Sequence, residues 1–211
     1  MNHPVIILGG GGHAKVLVEA LCTANIIIVG ITDVDPAKQG TAIMGVPVLG
    51  DDSVVGQHDP GRVRLVNGLG SVNIPSARAS LFETFTSQGF SFATVVHPRA
   101  VVASDAVLAE GAQIMAGAVI QPGVIIGRNS IVNTGAIVDH DCTIGDHAHL
   151  SPGAILSGCV RIGNMTHVGT GATVIQGISI GAGCLVAAGA VVISNVPDGV
   201  TVMGVPARIS Q

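Results

Sequence analysis

The chain has 211 residues, of which only 10% are charged, and a net charge of −4 with no basic stripe to neutralise phosphates, which excludes a nucleic-acid partner. The 48% hydrophobic content does not imply membrane insertion, because Gly, Asn or charged residues break every aliphatic run well short of the ~18 residues a spanning helix needs. Met1-Asn2-His3-Pro4 has no basic leader region and the four cysteines suggest no disulfide framework, so a soluble, cytoplasmic protein is expected.

All four Phe (Phe82, Phe85, Phe90, Phe92) precede residue 93, and this composition shift divides the chain into expected domains 1–93 and 94–211. Val5 to Leu8 reads as a buried parallel strand. Gly9 to Gly12 then form a glycine turn, and His13 to Ala24 follow as a helix, the opening of a Rossmann-like α/β unit. Ile26 to Ile31 is a second strand with Asp33 at its C-terminal end. Such a turn lets backbone N–H groups approach a phosphate, while the acidic residue accepts hydrogen bonds from a ribose or base. Gly9, Gly11 and Ala14 fit G-x-G-x-x-A. Only about 90 residues are present, however, one mononucleotide half of a dinucleotide fold, which favours a nucleotide-sugar over NAD. Val46 to Leu49 is a short strand, and Arg62 to Asn67 a third parallel one, ending in a second glycine turn at Gly68 and Gly70. Arg78 to Gln88 is an expected helix, and Phe90 to Val96 an expected strand leading into the second domain.

From Val96 to Val192 every sixth residue is aliphatic, and the residue four places later is mostly small. Neither a helix nor a simple strand has this period. A three-sided prism with six residues per side does: eighteen residues make one coil, and coils stack as parallel strands at ~4.8 Å. Cys142 and Cys184 fall at the small inward position, which makes them packing residues. His167, eighteen residues after His149, lies above it on the next coil.

Ile126-Gly127-Arg128-Asn129-Ser130, Ile162-Gly163-Asn164-Met165-Thr166 and the tail Gly204-Val205-Pro206-Ala207-Arg208 resemble the hexapeptide repeat and C-terminal signature of left-handed β-helix acyltransferases. With the Gly11-Gly12-His13 turn, Asp33, Gly70 and His97-Pro98, nearly the whole chain is similar to bacterial sugar acyltransferases, including UDP-4-amino-sugar N-acetyltransferases and sialic acid O-acetyltransferases. The resemblance implies an all-β left-handed parallel β-helix, a homotrimer and acetyl-CoA as donor. It also implies that Gly11, Gly12, His13, Asp33 and Gly70 contact the nucleotide, with Asn133 touching the acceptor sugar. Relatives often carry two adjacent acidic residues where this chain has Asp33-Val34, which turns attention to Asp35 for the base edge.

Asp139-His140-Asp141 and Asp146-His147-Ala148-His149 concentrate three histidines within ten residues. Acyl transfer to an amine needs a base of near-neutral pKa, and imidazole supplies one. His140 falls mid-hexad and should point outward, with Asp141 placed to fix its tautomer. In the resembling family the matching His is the general base, and positions matching His149, Thr170 and Ala188 contact acyl-CoA. No familiar ligand spacing joins Asp139, His140, Asp141, His147 and His149, so no metal is expected. The leading expectation is acetyl transfer from acetyl-CoA to the 4-amino group of a UDP-4-amino-4,6-dideoxy sugar in bacillosamine-type glycan biosynthesis. The alternatives are sialic acid O-acetylation and a non-catalytic nucleotide-binding scaffold.

Overall fold

A computed structural model describes residues 3–210. Met1, Asn2 and Gln211 lie outside it, and with them the start of the segment read for a leader and the extreme ends of both expected domains.

The N-terminal part comprises β1 (Val5–Leu8), α1 (Gly12–Thr23), β2 (Ile28–Thr32), β3 (Ala42–Ile43), β4 (Val46–Gly50), β5 (Arg64–Asn67) and α2 (Ser76–Ser87). The sheet order is β3-β4-β2-β1-β5, parallel throughout except that β3 runs antiparallel to β4. β1 is central, so it must bury both faces, which explains its unbroken Val-Ile-Ile-Leu run. Val5 and Ile7 pack with Leu17 and Leu21 of α1, whereas Ile6 and Leu8 pack with Phe82 and Phe92 on the α2 side. Each such fully buried side chain contributes about 1.5–3 kcal/mol relative to exposure. α2 begins two residues before the expected Arg78. The two glycine turns meet: Gly68 N–H donates to Leu8 O at 2.7 Å, and a Cβ at Gly68 would strike the Gly9 carbonyl.

From Val95 the chain winds as the expected prism. Strands of two residues recur every six and stack in three parallel sheets. The outward residues of the first sheet include Gln113, Ile131, His149 and His167; of the second, Val119, Ile137, Ile155 and Thr173; of the third, Ile125, Thr143, Arg161 and Ser179. Every sixth residue from Ile114 to Val192, all aliphatic, is buried to 3% exposure or less, but Val96 is 37% exposed. The first coil has no coil beneath it, so the hexad pattern there lacks the neighbour that would cover it.

Corners turn through the left-handed backbone region. At every sixth residue from Gly111 to Gly189, φ lies between 54° and 75°. Glycine reaches this region without strain, yet Asn129, Asp141, His147, Cys159 and Met165 also occupy it. Among the described residues no helix is long and apolar enough to cross a membrane.

The two parts share their interior. Val95 and Met115 join the α1-side core. Arg78, 1% exposed, donates through Nη1 to the carbonyls of Asn67 and Leu69, each at 2.8 Å, and through Nε to that of Asn129 at 3.1 Å. Burial lowers its pKa to about 9. Charge-assisted bonds to three carbonyls thus clamp the α/β sheet to a prism corner.

Candidate active site

Gly11, Gly12, His13, Gly70, Asn133 and His149 line one cavity of about 660 Å³ between the glycine turns and the prism. The N-termini of α1 and α2 both open on it, since Gly12 and Ser76 belong to its wall. Partial positive charge at helix N-termini favours an anionic ligand there. His13 Nε2 lies 2.7 Å from Gln113 Oε1, and Gln113 Nε2 donates to Asn67 O at 2.9 Å, which fixes the amide orientation and makes His13 Nε2 the protonated nitrogen. Burial, helped by the Arg78 charge, lowers the His13 pKa to about 4, so its ring is neutral.

Asp33 stands apart from that cavity, in a smaller adjoining one of about 340 Å³ with Gly10, Gly11 and Lys38. Its Oδ2 accepts from Gly10 N–H at 2.8 Å and from Lys38 Nζ at 2.7 Å, and its Oδ1 from Asp35 N–H at 2.9 Å. Burial pushes against its charge, but Lys38 and the two N–H groups hold its pKa below the usual value. Asp33 therefore shapes the glycine turn from within. Asp35 caps the following turn by accepting Ala37 N–H at 3.0 Å.

A second groove, about 380 Å³, runs along the corner between the first and second sheets. His149, Thr170 and Ala188 line it together with Ser71, Asn133 and His167. It shares Ser71, Val72, Asn133, His149 and Pro152 with the larger cavity, so the two meet. His149 and His167 are in register on neighbouring coils, as their spacing indicated, with ring centroids 4.9 Å apart. Burial lowers the His149 pKa to about 3, and also lowers that of His167.

His140 and Asp141 sit at the next corner, between the second and third sheets. His140 Nδ1 is 2.8 Å from Asp141 Oδ2, the imidazole is 48% exposed, and this hydrogen bond raises its pKa. The neutral ring then carries its proton on Nδ1 and presents the Nε2 lone pair outward, the state of a general base. Within one chain the strand face of Ile137 and Ile155 separates this pair from the groove. The side-chain atoms of His140, Asp141 and Cys159 approach within 4.8 Å of one another, but His147 and His149 do not join them. His147 lies at the third corner, where its ring packs edge-on against Phe82 at 5.6 Å and its Nε2 is 3.3 Å from Glu83. The three histidines that cluster in sequence are thus distributed over three places.

Residues not singled out from sequence are Lys38, Ser71, Arg78, Gln113 and Ser151. A usable signal existed for Gln113 alone: it belongs to the eighteen-spaced row Gln113, Ile131, His149, His167, in which the two histidines line the cavities and Gln113 holds His13 of the wall.

Comparison with known proteins agrees with this architecture. The PglD N-terminal domain family matches residues 4–85, the bacterial transferase hexapeptide family (six repeats) matches 105–140 and 123–158, and the hexapeptide repeat of succinyl-transferase matches 159–194. Curated protein sequences include no match. Among solved structures, PerB from Caulobacter crescentus in complex with CoA and GDP-perosamine is 41% identical, with a TM-score of 0.91 over 99% of this chain and 97% of that one. The acetyltransferase domain of PglB from Neisseria gonorrhoeae, in complex with acetyl coenzyme A, is 35% identical with a TM-score of 0.92 over the whole of both chains. WeeI from Acinetobacter baumannii is 26% identical, with a TM-score of 0.81 over 98% of this chain and 99% of that one. The chain belongs to the sugar acyltransferases that join a PglD-type N-terminal domain to a left-handed β-helix of hexapeptide repeats, and it is an acetyl-CoA-dependent sugar acetyltransferase.

Proposed function

We propose that this enzyme acetylates the 4-amino group of a nucleotide-linked 4-amino-4,6-dideoxy sugar, with UDP as the carrier that its motifs suggest and a bacillosamine-type glycan as the end product. The observation that carries the reading is the meeting of the two cavities at Asn133 and His149. In this reading residues 1–93 hold the nucleotide and 94–211 the donor. The glycine turns with His13 and Gly70 cradle the diphosphate, and Asp33 organises the turn. The thioester of acetyl-CoA lies along His149, Thr170 and Ala188. The amine attacks the thioester carbonyl, His140 removes its proton, and backbone N–H groups of the corners stabilise the oxyanion.

His140 reaches that junction from a neighbouring copy. The face between it and its own groove carries Val101, Ile137 and Ile155, exposed at 62%, 37% and 40%. An aliphatic strip of this kind supports self-association, here a trimer in which one prism's corner faces the next prism's groove. Sedimentation of the protein as a monomer under assay conditions would overturn the shared site.

A second reading, a GDP-linked acceptor, is favoured by the PerB complex with GDP-perosamine. O-acetylation of a sialic acid has no such support, whereas the 40% identical structure from Caulobacter crescentus is named a perosamine N-acetyltransferase. The test is thiol release from acetyl-CoA with a panel of UDP-4-amino-4,6-dideoxy-N-acetylhexosamine, GDP-perosamine and free sialic acid. Turnover confined to the UDP amino sugar supports the first reading, and turnover confined to GDP-perosamine replaces it with the second. His140→Ala should lower kcat by about 10² to 10⁴-fold with whichever acceptor is used; an unchanged rate removes His140 from the mechanism.

A further inference from the structure

One hydrogen-bonded chain crosses the junction of the two cavities, and a backbone donor fixes its direction. Thr134 N–H donates to Asn133 Oδ1 at 2.8 Å, so Asn133 turns Nδ2 to its other side. Nδ2 lies 3.2 Å from His149 Nε2. An amide nitrogen only donates, so Nε2 accepts and the His149 proton resides on Nδ1. Nδ1–H then donates to Ser71 Oγ at 2.7 Å. The Ser71 hydroxyl hydrogen is left to donate to His167 Nδ1 at 3.3 Å, and His167 Nε2–H donates to Ser151 Oγ at 3.0 Å. For His149 the opposite tautomer would set two donors against each other, and for His167 this assignment also gives the Ser71 hydroxyl hydrogen an acceptor.

The chain needs both rings neutral, because a cationic imidazole has no accepting nitrogen. Burial supplies that condition by lowering the pKa of His149 to about 3 and that of His167 in the same direction. Ser71 is the one member from the N-terminal part. It sits beside Val72, which is 90% exposed, in the loop between β5 and α2 that borders both cavities.

We propose that Ser71 is a positioning residue for acetyl transfer: by bridging His149 Nδ1 and His167 Nδ1 it holds the His149 Nε2 lone pair at the groove, where Asn133 Nδ2 occupies it in the free protein and an amide N–H of the acetyl-CoA pantetheine arm takes that place on binding. This rests on the acetyl-transfer reading above. It also makes the β5–α2 loop a shared wall whose order matters to the donor.

The experiment combines long-range ¹H–¹⁵N spectra of the histidine rings with steady-state kinetics for the intact protein, Ser71→Ala and Ser71→Thr. His149→Gln and His167→Gln variants assign the signals. Expected in the wild type are an Nδ1–H tautomer for His149 and an Nε2–H tautomer for His167. Ser71→Ala should release the Nε2–H tautomer of His167, while Asn133 still fixes that of His149, and raise KM for acetyl-CoA about three- to tenfold, the scale of one neutral hydrogen bond. In that variant kcat and the acceptor KM stay within twofold, and Ser71→Thr restores the wild-type values. An Nε2–H tautomer at His149 in the wild type overturns the proposal, as does an unchanged KM for acetyl-CoA in Ser71→Ala. The spectra need no turnover, so failure of every acceptor would sink the acetyl-transfer reading while the ring tautomers still judge the chain.

Discussion

Gly158 offers a test of His140 that leaves the histidine itself in place. Its backbone is outside the left-handed region, so alanine meets no conformational strain there, but a Cβ would stand 2.5 Å from both Cε1 and Nε2 of the His140 ring. Ordinary contact begins at 3.4 Å, so the ring must retreat by about 0.9 Å. It can do so cheaply, because the imidazole is 48% exposed and held only through Nδ1 to Asp141. Stability should therefore change by no more than about 0.5 kcal/mol, the usual range for surface substitutions. In a chain of this size that is a Tm shift of less than about 2 °C. Catalysis has no such tolerance, since about 1 Å of misplacement of a reacting group can cost on the order of 10² in rate. Gly158→Ala should accordingly lose about a hundredfold in kcat in the thiol-release assay while melting with the wild type. Gly56→Ala, whose Cβ meets nothing within 4 Å, serves as the control. Full activity in Gly158→Ala would show that the His140 ring does not act from this position. A large fall in Tm would show that the clash is not absorbed by the ring.

Asp141→Asn removes the carboxylate whose charge-assisted hydrogen bond chiefly raises the His140 pKa. A base works deprotonated, so kcat/KM falls as pH drops through that pKa, and in the variant the fall should move to lower pH, as a pH–rate profile would reveal. Within the prism, Ile144 is 1% exposed and stacks between Ile126 and Ile162. Ile144→Ala should cost about 2–5 kcal/mol and its outward neighbour Thr143→Ala less than about 0.5 kcal/mol; equal losses in denaturant titrations would contradict the inward–outward assignment.

What was legible from sequence follows from side-chain burial. One aliphatic residue in every six marks the inner face, and adding eighteen identifies vertical neighbours, so the His149–His167 stack and the outward His140 could both be read directly. The left-handed corners were not legible, because their signal is a backbone angle shared by nine glycines and by Asn129, Asp141, His147, Cys159 and Met165. Nearness in sequence does not bring His140, His147 and His149 together, since each hexad turns the chain on to another side. Arg78 was legible only as the first residue of an expected helix. Its partners are main-chain carbonyls, which every residue possesses and no spacing betrays. Ser71 lies in a loop without period, and its role depends on rings supplied by residues 78 and 96 positions away.

The eighteen-residue register also restricts how such a molecule can vary in length. Six residues added at a corner would carry every later side chain to a different side of the prism, and with them Thr170 and Ala188 out of line with His149. Only eighteen restores the alignment. Insertions and deletions between these residues are thus acceptable in whole coils alone, and the donor groove can lengthen or shorten only in steps of about 4.8 Å.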